Sequence, residues 1–218
     1  MVMKELIKSE LCKYINSRRS GTLEEWENPV EILIELISDS IFDIVDLRGE
    51  TGLIKREIGK GEATYYNSKN LSLCFVRYED FINQFRQCDA NGKIEKDWSK
   101  GMSRPDYIAY DTGDEKEFFI IHELSSGAIG NKHKDGKLQL LNTVRLLTSR
   151  KAINDVLQND FKERLCFLSA RGCVGYTPNG NADSFMEIYK QLPDPLPIKN
   201  KSLEKWKFKA FETKAIKL

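Results

Sequence analysis

The chain has 218 residues, 40% of them hydrophobic, which is enough for one well-filled core and thin for two domains. Lys and Arg total 34 against 33 Asp and Glu, and the net charge of +1 excludes a global field that would attract or repel a polyanion, so any nucleic-acid contact must be a local patch. The five cysteines (Cys12, Cys74, Cys88, Cys166 and Cys173) are odd in number and lack zinc-knuckle spacing; free thiols in a reducing, cytoplasmic setting are expected.

The opening "MVMKELIKSELCKYI" is amphipathic and too regularly charged for a signal peptide or a membrane span, so residues 1–28 are read as an N-terminal helix and no membrane partner is expected. In "ENPVEILIELISDSIFDIVDL" the apolar residues Val30, Leu33, Ile34, Ile37, Ile41, Ile44 and Val45 recur at intervals of three and four. They predict a helix from Pro29, capped by Asn28, with Glu31, Glu35, Asp39 and Asp43 as an acidic stripe beside the apolar one. Residues 53–66 predict a strand bending at Gly59 and Gly61, "LSLCFVRY" a strand, and "EDFINQF" a short helix; 88–103 reads as a loop. "DYIAYD" and "EFFIIHEL" are β-rich runs around the turn composition "TGDEK"; "KLQLLNTVRLLTSR" is a helix and "RLCFLSA" a buried strand. Beyond Gly172 come a short helix, a proline-rich stretch and a basic tail whose Trp206, Phe208 and Phe211 are expected to pack on the core. The whole predicts a single α/β domain with a mixed central sheet flanked by helices. Residues 29–170 form its core, in the order helix, three strands, helix, strand, and 171–218 a C-terminal extension.

Strand side chains alternate, so Glu123 shares a face with Phe119 and Ile121 and interrupts an apolar stripe. A turn centred between Asp114 and Glu115 sets Asp106 directly opposite Glu123, with Cα atoms about 4.5–5.5 Å apart. Two like charges so placed are destabilising unless a cation lies between them. Mg²⁺ takes one or two protein carboxylates and leaves its other positions to water and substrate phosphate. Structural alternatives are Asp106 capping its own turn and Glu123 reaching solvent at a strand end.

"RPD" at a strand start, "HELS" one hairpin later, and a helix after it resemble the PD-(D/E)xK nuclease superfamily over roughly residues 29–170. The resemblance implies a restriction-endonuclease-like αβββαβ core and a Mg²⁺-dependent nuclease, with Mn²⁺ as a substitute, acting on DNA more than RNA; a homodimer is compatible with it. By the same resemblance Asp106 and Glu123 are the catalytic metal ligands, and Gln139 matches a glutamine near the substrate in exonuclease-type members. The sequence departs at the family lysine, where Ser125 stands. Of the lysines that follow, Lys137 is taken as the displaced catalytic cation, with Ser125, Lys134 and Gln139 as substrate contacts and "SSGAIGNK" as a loop over the site. The serine also leaves open a catalytically inactive module that binds nucleic acid or a protein.

Overall fold

A computed structural model of the chain describes residues 3–18, 30–46, 54–55, 61–125, 131–170, 173 and 185–218. Helix α1 (Met3–Ser17) buries Met3, Leu6, Ile7, Leu11 and Ile15, a stripe at the three-and-four spacing of one helix face. The next segment corrects the sequence reading. In place of one helix over 29–45 there are two strands, β1 (Ile34–Ile37) and β2 (Ile41–Ile44), parted by Ser38-Asp39-Ser40; the expected cap at Asn28 and Pro29 lies outside the described residues. The cause is parity. Residues three apart fall on opposite faces of a strand, and here Ile34 packs into one apolar cluster while Ile37 packs into another. A strand with apolar residues packed on both sides therefore shows the intervals of a helix, and the β-branched isoleucines decide for the strand.

Strands β3 (Ile54–Lys55), β4 (Ala63–Tyr66) and β5 (Leu73–Arg77) follow, then the short helix α2 (Tyr78–Asn83). Residues 88–103, expected as a loop, contribute to a two-stranded ribbon of β6 (Arg86–Cys88) and β7 (Ile94–Asp97). Its turn has Gly92 at φ +77°, and Asp89 Oδ1 accepts from the backbone N–H groups of Asn91 and Lys93. Both strands of the ribbon are largely exposed, so no apolar alternation marks them. Strands β8 (Tyr107–Asp111) and β9 (Phe118–Ser125) form the expected hairpin, and helices α3 (Asn131–Ser149) and α4 (Lys151–Asn159) lead to β10 (Glu163–Ala170). The chain continues through α5 (Phe185–Gln191), β11 (Leu196–Pro197), α6 (Lys201–Lys205), β12 (Phe208–Glu212) and β13 (Ala215–Lys217).

The fold is α/β with a mixed seven-stranded sheet, ordered β1-β5-β8-β9-β10-β12-β11. The pairings from β1 to β9 are antiparallel, β9–β10 and β10–β12 are parallel, and the crossover that parallel pairing demands between β9 and β10 is made by α3 and α4. One face packs on the helices through Ile7, Val76, Ile108, Ile121, Leu140, Val144 and Leu157. The other packs on a small sheet, ordered β13-β4-β2-β3, through Phe42, Tyr65, Phe75, Ile120 and Phe167. The residues read as a C-terminal extension thus supply β11 and β12 to the seven-stranded sheet and β13 to the small one, and Phe208 is buried while Trp206 and Phe211 pack against the two cores.

His122, on the small-sheet face of β9, is a core residue. Tyr65 Oη and Ser169 Oγ each lie 2.8 Å from a ring nitrogen, and the Ser169 hydroxyl donates to Thr213 O. That direction makes Nε2–H the donor to Ser169 and Nδ1 the acceptor from Tyr65. Burial holds the ring neutral, with its pKa lowered to about 3.

Gly61 carries the closest approach between β2 and the segment entering β4. A Cβ there would collide with Ile44 O and stand 2.7 Å from Asp43 Cβ, and its own N–H donates to Asp43 Oδ2 at 2.8 Å. Gly61→Ala is expected to lower unfolding free energy by about 2 kcal/mol or more, read from urea denaturation midpoints.

Candidate active site

The β8–β9 register pairs Tyr107 with His122 and Ile108 with Ile121. One step outward, the same register sets Asp106 opposite Glu123 on the helix-facing side of the sheet, as the turn at "TGDEK" predicts. Asp106 is fixed from two directions. Its backbone carbonyl accepts from Tyr78 N at 3.0 Å and Glu79 N at 3.3 Å, where β5 passes into α2, and its Oδ2 accepts from Leu124 N at 2.5 Å across the hairpin.

Glu123 is fixed from above by α3. Gln139 Nε2 donates to Glu123 Oε1 at 2.9 Å, and Gln139 Oε1 accepts from Arg104 N at 3.1 Å, so neither end of the amide is free to swing. The helix comes this close because Gly136 has no side chain. A Cβ there would stand 2.8 Å from Leu168 Cδ1 and 3.3 Å from Glu123 Cγ. The remaining carboxylate oxygen, Glu123 Oε2, is buried with no hydrogen-bond partner.

Both carboxyl groups line a cavity of about 680 Å³ that also receives Asp46, Glu79, Arg86, Arg104 and Gln139. Asp106 is 9% exposed and Glu123 7%. Burial pushes both pKa values well above the ordinary carboxylate range. The field of Asp106 raises Glu123 further, the fields of Glu79 and Asp46 act on both, and the Leu124 N–H works in the opposite sense on Asp106. The pair therefore retains a proton at neutral pH.

The cations expected from sequence stand elsewhere. Lys137 is in an ion pair with Glu212 of β12, Nζ to Oε1 2.5 Å, and does not line the cavity. One residue along a helix is a rotation of about 100°, enough to turn Lys137 away from the direction taken by Gly136 and toward β12. Lys134 is exposed. Ser125 ends β9 in register with Ala170; its side chain, and residues 126–130 of the expected covering loop, lie outside the described residues. Glu35, expected in the acidic stripe of a helix, is instead on β1, where it accepts from Ile54 N at 3.4 Å. Among the described residues no lysine lines the cavity; its cations are Arg86 and Arg104. Arg104 could have been noticed as the neighbour of Pro105-Asp106, whereas Arg86, Glu79 and Asp46 arrive from distant segments and carry no local signal.

Among the described residues no group of three or more His, Cys, Asp or Glu side chains is placed to hold a metal ion. The protein donors on offer are the two carboxylates of Asp106 and Glu123. No helix among the described residues is long and apolar enough to cross a membrane. Compared with known proteins, the chain matches no family model, and no curated protein or solved structure matches it significantly.

A carboxyl group whose folded pKa is raised contributes most below its unfolded value near pH 4, and that contribution is lost as pH rises through the folded value. Metal-free protein should therefore lose stability as pH rises above the ordinary carboxylate range. Glu123→Gln, which removes a carboxyl that must take up a proton to be buried, is expected to be more stable than wild type by about 1–3 kcal/mol at pH 8. The advantage should shrink toward pH 5, as followed by thermal melting in chelator.

Proposed function

We propose that the protein is a divalent-metal-dependent nuclease that hydrolyses phosphodiester bonds of DNA, on a restriction-endonuclease-like core of β5, β8, β9, α3 and β10 in which α1, from outside residues 29–170, takes the place of the helix expected over 29–45. The observation that carries this reading is the buried pair of Asp106 and Glu123, set opposite one another with Glu123 Oε2 left without a partner beside a polar cavity. Like-charged carboxyls in such a place cost stability, and a cation would relieve that cost.

The residues fit such an ion. Their donors are hard oxygens, as Mg²⁺ and Mn²⁺ require; two protein carboxylates suit an octahedral ion that keeps several waters, and the orphaned oxygen supplies an open ligand position. When bound, the ion would polarise a phosphoryl oxygen and lower the pKa of a coordinated water. The chain's own contributions are positional. Leu124 N–H holds Asp106 through Oδ2, and Gln139 holds Glu123 through Oε1, which leaves Glu123 Oε2 for a ligand. Proton release from the pair would accompany ion binding, since ligands must be deprotonated.

The second reading is a catalytically inactive module of the same architecture that binds nucleic acid or a protein partner. It is favoured by Ser125 at the family lysine position and by the engagement of Lys137 with Glu212.

With Mn²⁺ or Mg²⁺ the purified chain is expected to cleave single-stranded or duplex DNA, and Asp106→Asn and Glu123→Gln to lower turnover by about a hundredfold or more. Calorimetry in buffers of different ionisation enthalpy should register protons released on Mn²⁺ binding, with affinity rising from pH 6 to pH 8. Metal binding without cleavage of DNA or RNA would transfer the case to the binding module; equal Mn²⁺ affinity in wild type and Glu123→Gln would remove the site altogether.

A further inference from the structure

The same cavity holds a second kind of chemistry. Arg86 comes from the base of the β6–β7 ribbon and Arg104 from the segment entering β8, and a single carboxylate, Asp97 of β7, serves both: it lies 3.2 Å from Arg86 Nε and 3.3 Å from Arg104 Nη2. Two guanidinium groups thus share one ion-pair partner. The remaining contacts fix the forks without a further salt bridge: Arg86 Nη1 donates to Asn83 Oδ1 at 2.9 Å, and Arg104 Nη2 donates to Ser99 Oγ at 2.9 Å. Arg104 Nε is buried with no acceptor at all.

Arginine forks match the geometry of phosphate oxygens, and a fork already oriented loses less side-chain freedom on binding. We propose that Arg86 and Arg104, oriented by Asp97, form a phosphate subsite that grips a nucleic-acid strand at a phosphodiester neighbouring the one held at Asp106 and Glu123. This rests on the nuclease reading and extends it by assigning the grip on substrate to arginines of the ribbon in place of the lysines that follow Ser125. Asp46, Glu79 and Asp80 also line the cavity and repel a phosphate, and Glu79 acts directly on Arg104, so strand binding should require a divalent cation at the carboxylates.

The experiment uses the full chain, a fluorescein-labelled oligodeoxynucleotide and Ca²⁺ as the probe cation, with anisotropy read across a salt series, strand integrity checked on a gel, and Ca²⁺ affinity measured by calorimetry. Arg86→Gln is expected to weaken strand binding about tenfold and to lower the salt slope by about 0.7–0.9, the loss of one phosphate contact, with Ca²⁺ affinity unchanged. Arg86→Lys keeps the charge and loses the fork, and is expected to weaken binding several-fold with the salt slope unchanged. If Arg86→Gln folds and keeps wild-type affinity and slope, the subsite is overturned while the metal site stands. Should Arg86→Gln fail to fold, Arg86→Lys decides: weaker binding at the wild-type salt slope upholds the subsite, and wild-type affinity overturns it. Wild type that binds Ca²⁺ but neither binds the strand with Ca²⁺ nor cleaves it with Mn²⁺ overturns the subsite and the nuclease reading together.

Discussion

The register of one hairpin determines the site. A strand repeats every two residues, so a slip of one between β8 and β9 would send Glu123 into the small-sheet core and bring His122 to the cavity. His122 is tied to Tyr65 on β4 and Ser169 on β10, and it can be satisfied only on its present side. The buried imidazole and the buried carboxylate are consecutive residues with opposite requirements, and together they lock the hairpin. The Leu124 N–H, donated to Asp106, is a third restraint on the same register.

Around this hairpin the chain accepts a local cost in stability. Two carboxyls are buried beside each other on the face of the sheet that otherwise packs Phe119, Ile121, Leu140 and Val144, and one of their oxygens has no partner. The two apolar clusters on either side of the sheet offset the penalty and hold the geometry against relaxation. A site built on a central hairpin, with Gly136 allowing α3 close above it, is positioned by strands and a helix in place of loops.

What could be read from the sequence follows the range of each interaction. The Asp106–Glu123 pairing was legible because both runs are β-rich and the turn between them is short, so local chemistry sets the register. The interval over 29–45 suggests a helix because Ile34 and Ile37 pack on opposite sides of β1 against segments far away in sequence, so that two strand faces look like one helical stripe. Lys137 reads from sequence as the cation over the site because it stands within the helical pattern that follows Ser125. Its partner Glu212 lies on β12, 75 residues further on by the numbering, and nothing local announces that strand. Arg86 and Glu79 escaped for the same reason: they reach the cavity through the ribbon and α2, whose placement depends on the backbone carbonyl of Asp106.

The position of β12 also bears on how the molecule is made. Strand β10 carries Leu165, Cys166, Phe167 and Leu168, all buried, and it pairs with β9 on one side and β12 on the other. During synthesis β9, α3, α4 and β10 leave the ribosome first, and β10 can pair with β9 while its other edge stays open until Phe208–Glu212 emerges. The unpaired edge that β12 later covers, residues 164–168, is a template for pairing with another chain. Completion of the sheet is thus a late, long-range event. The nascent chain is most exposed to misassembly in the interval when its hairpin of acids is already formed and its parallel edge is not yet covered.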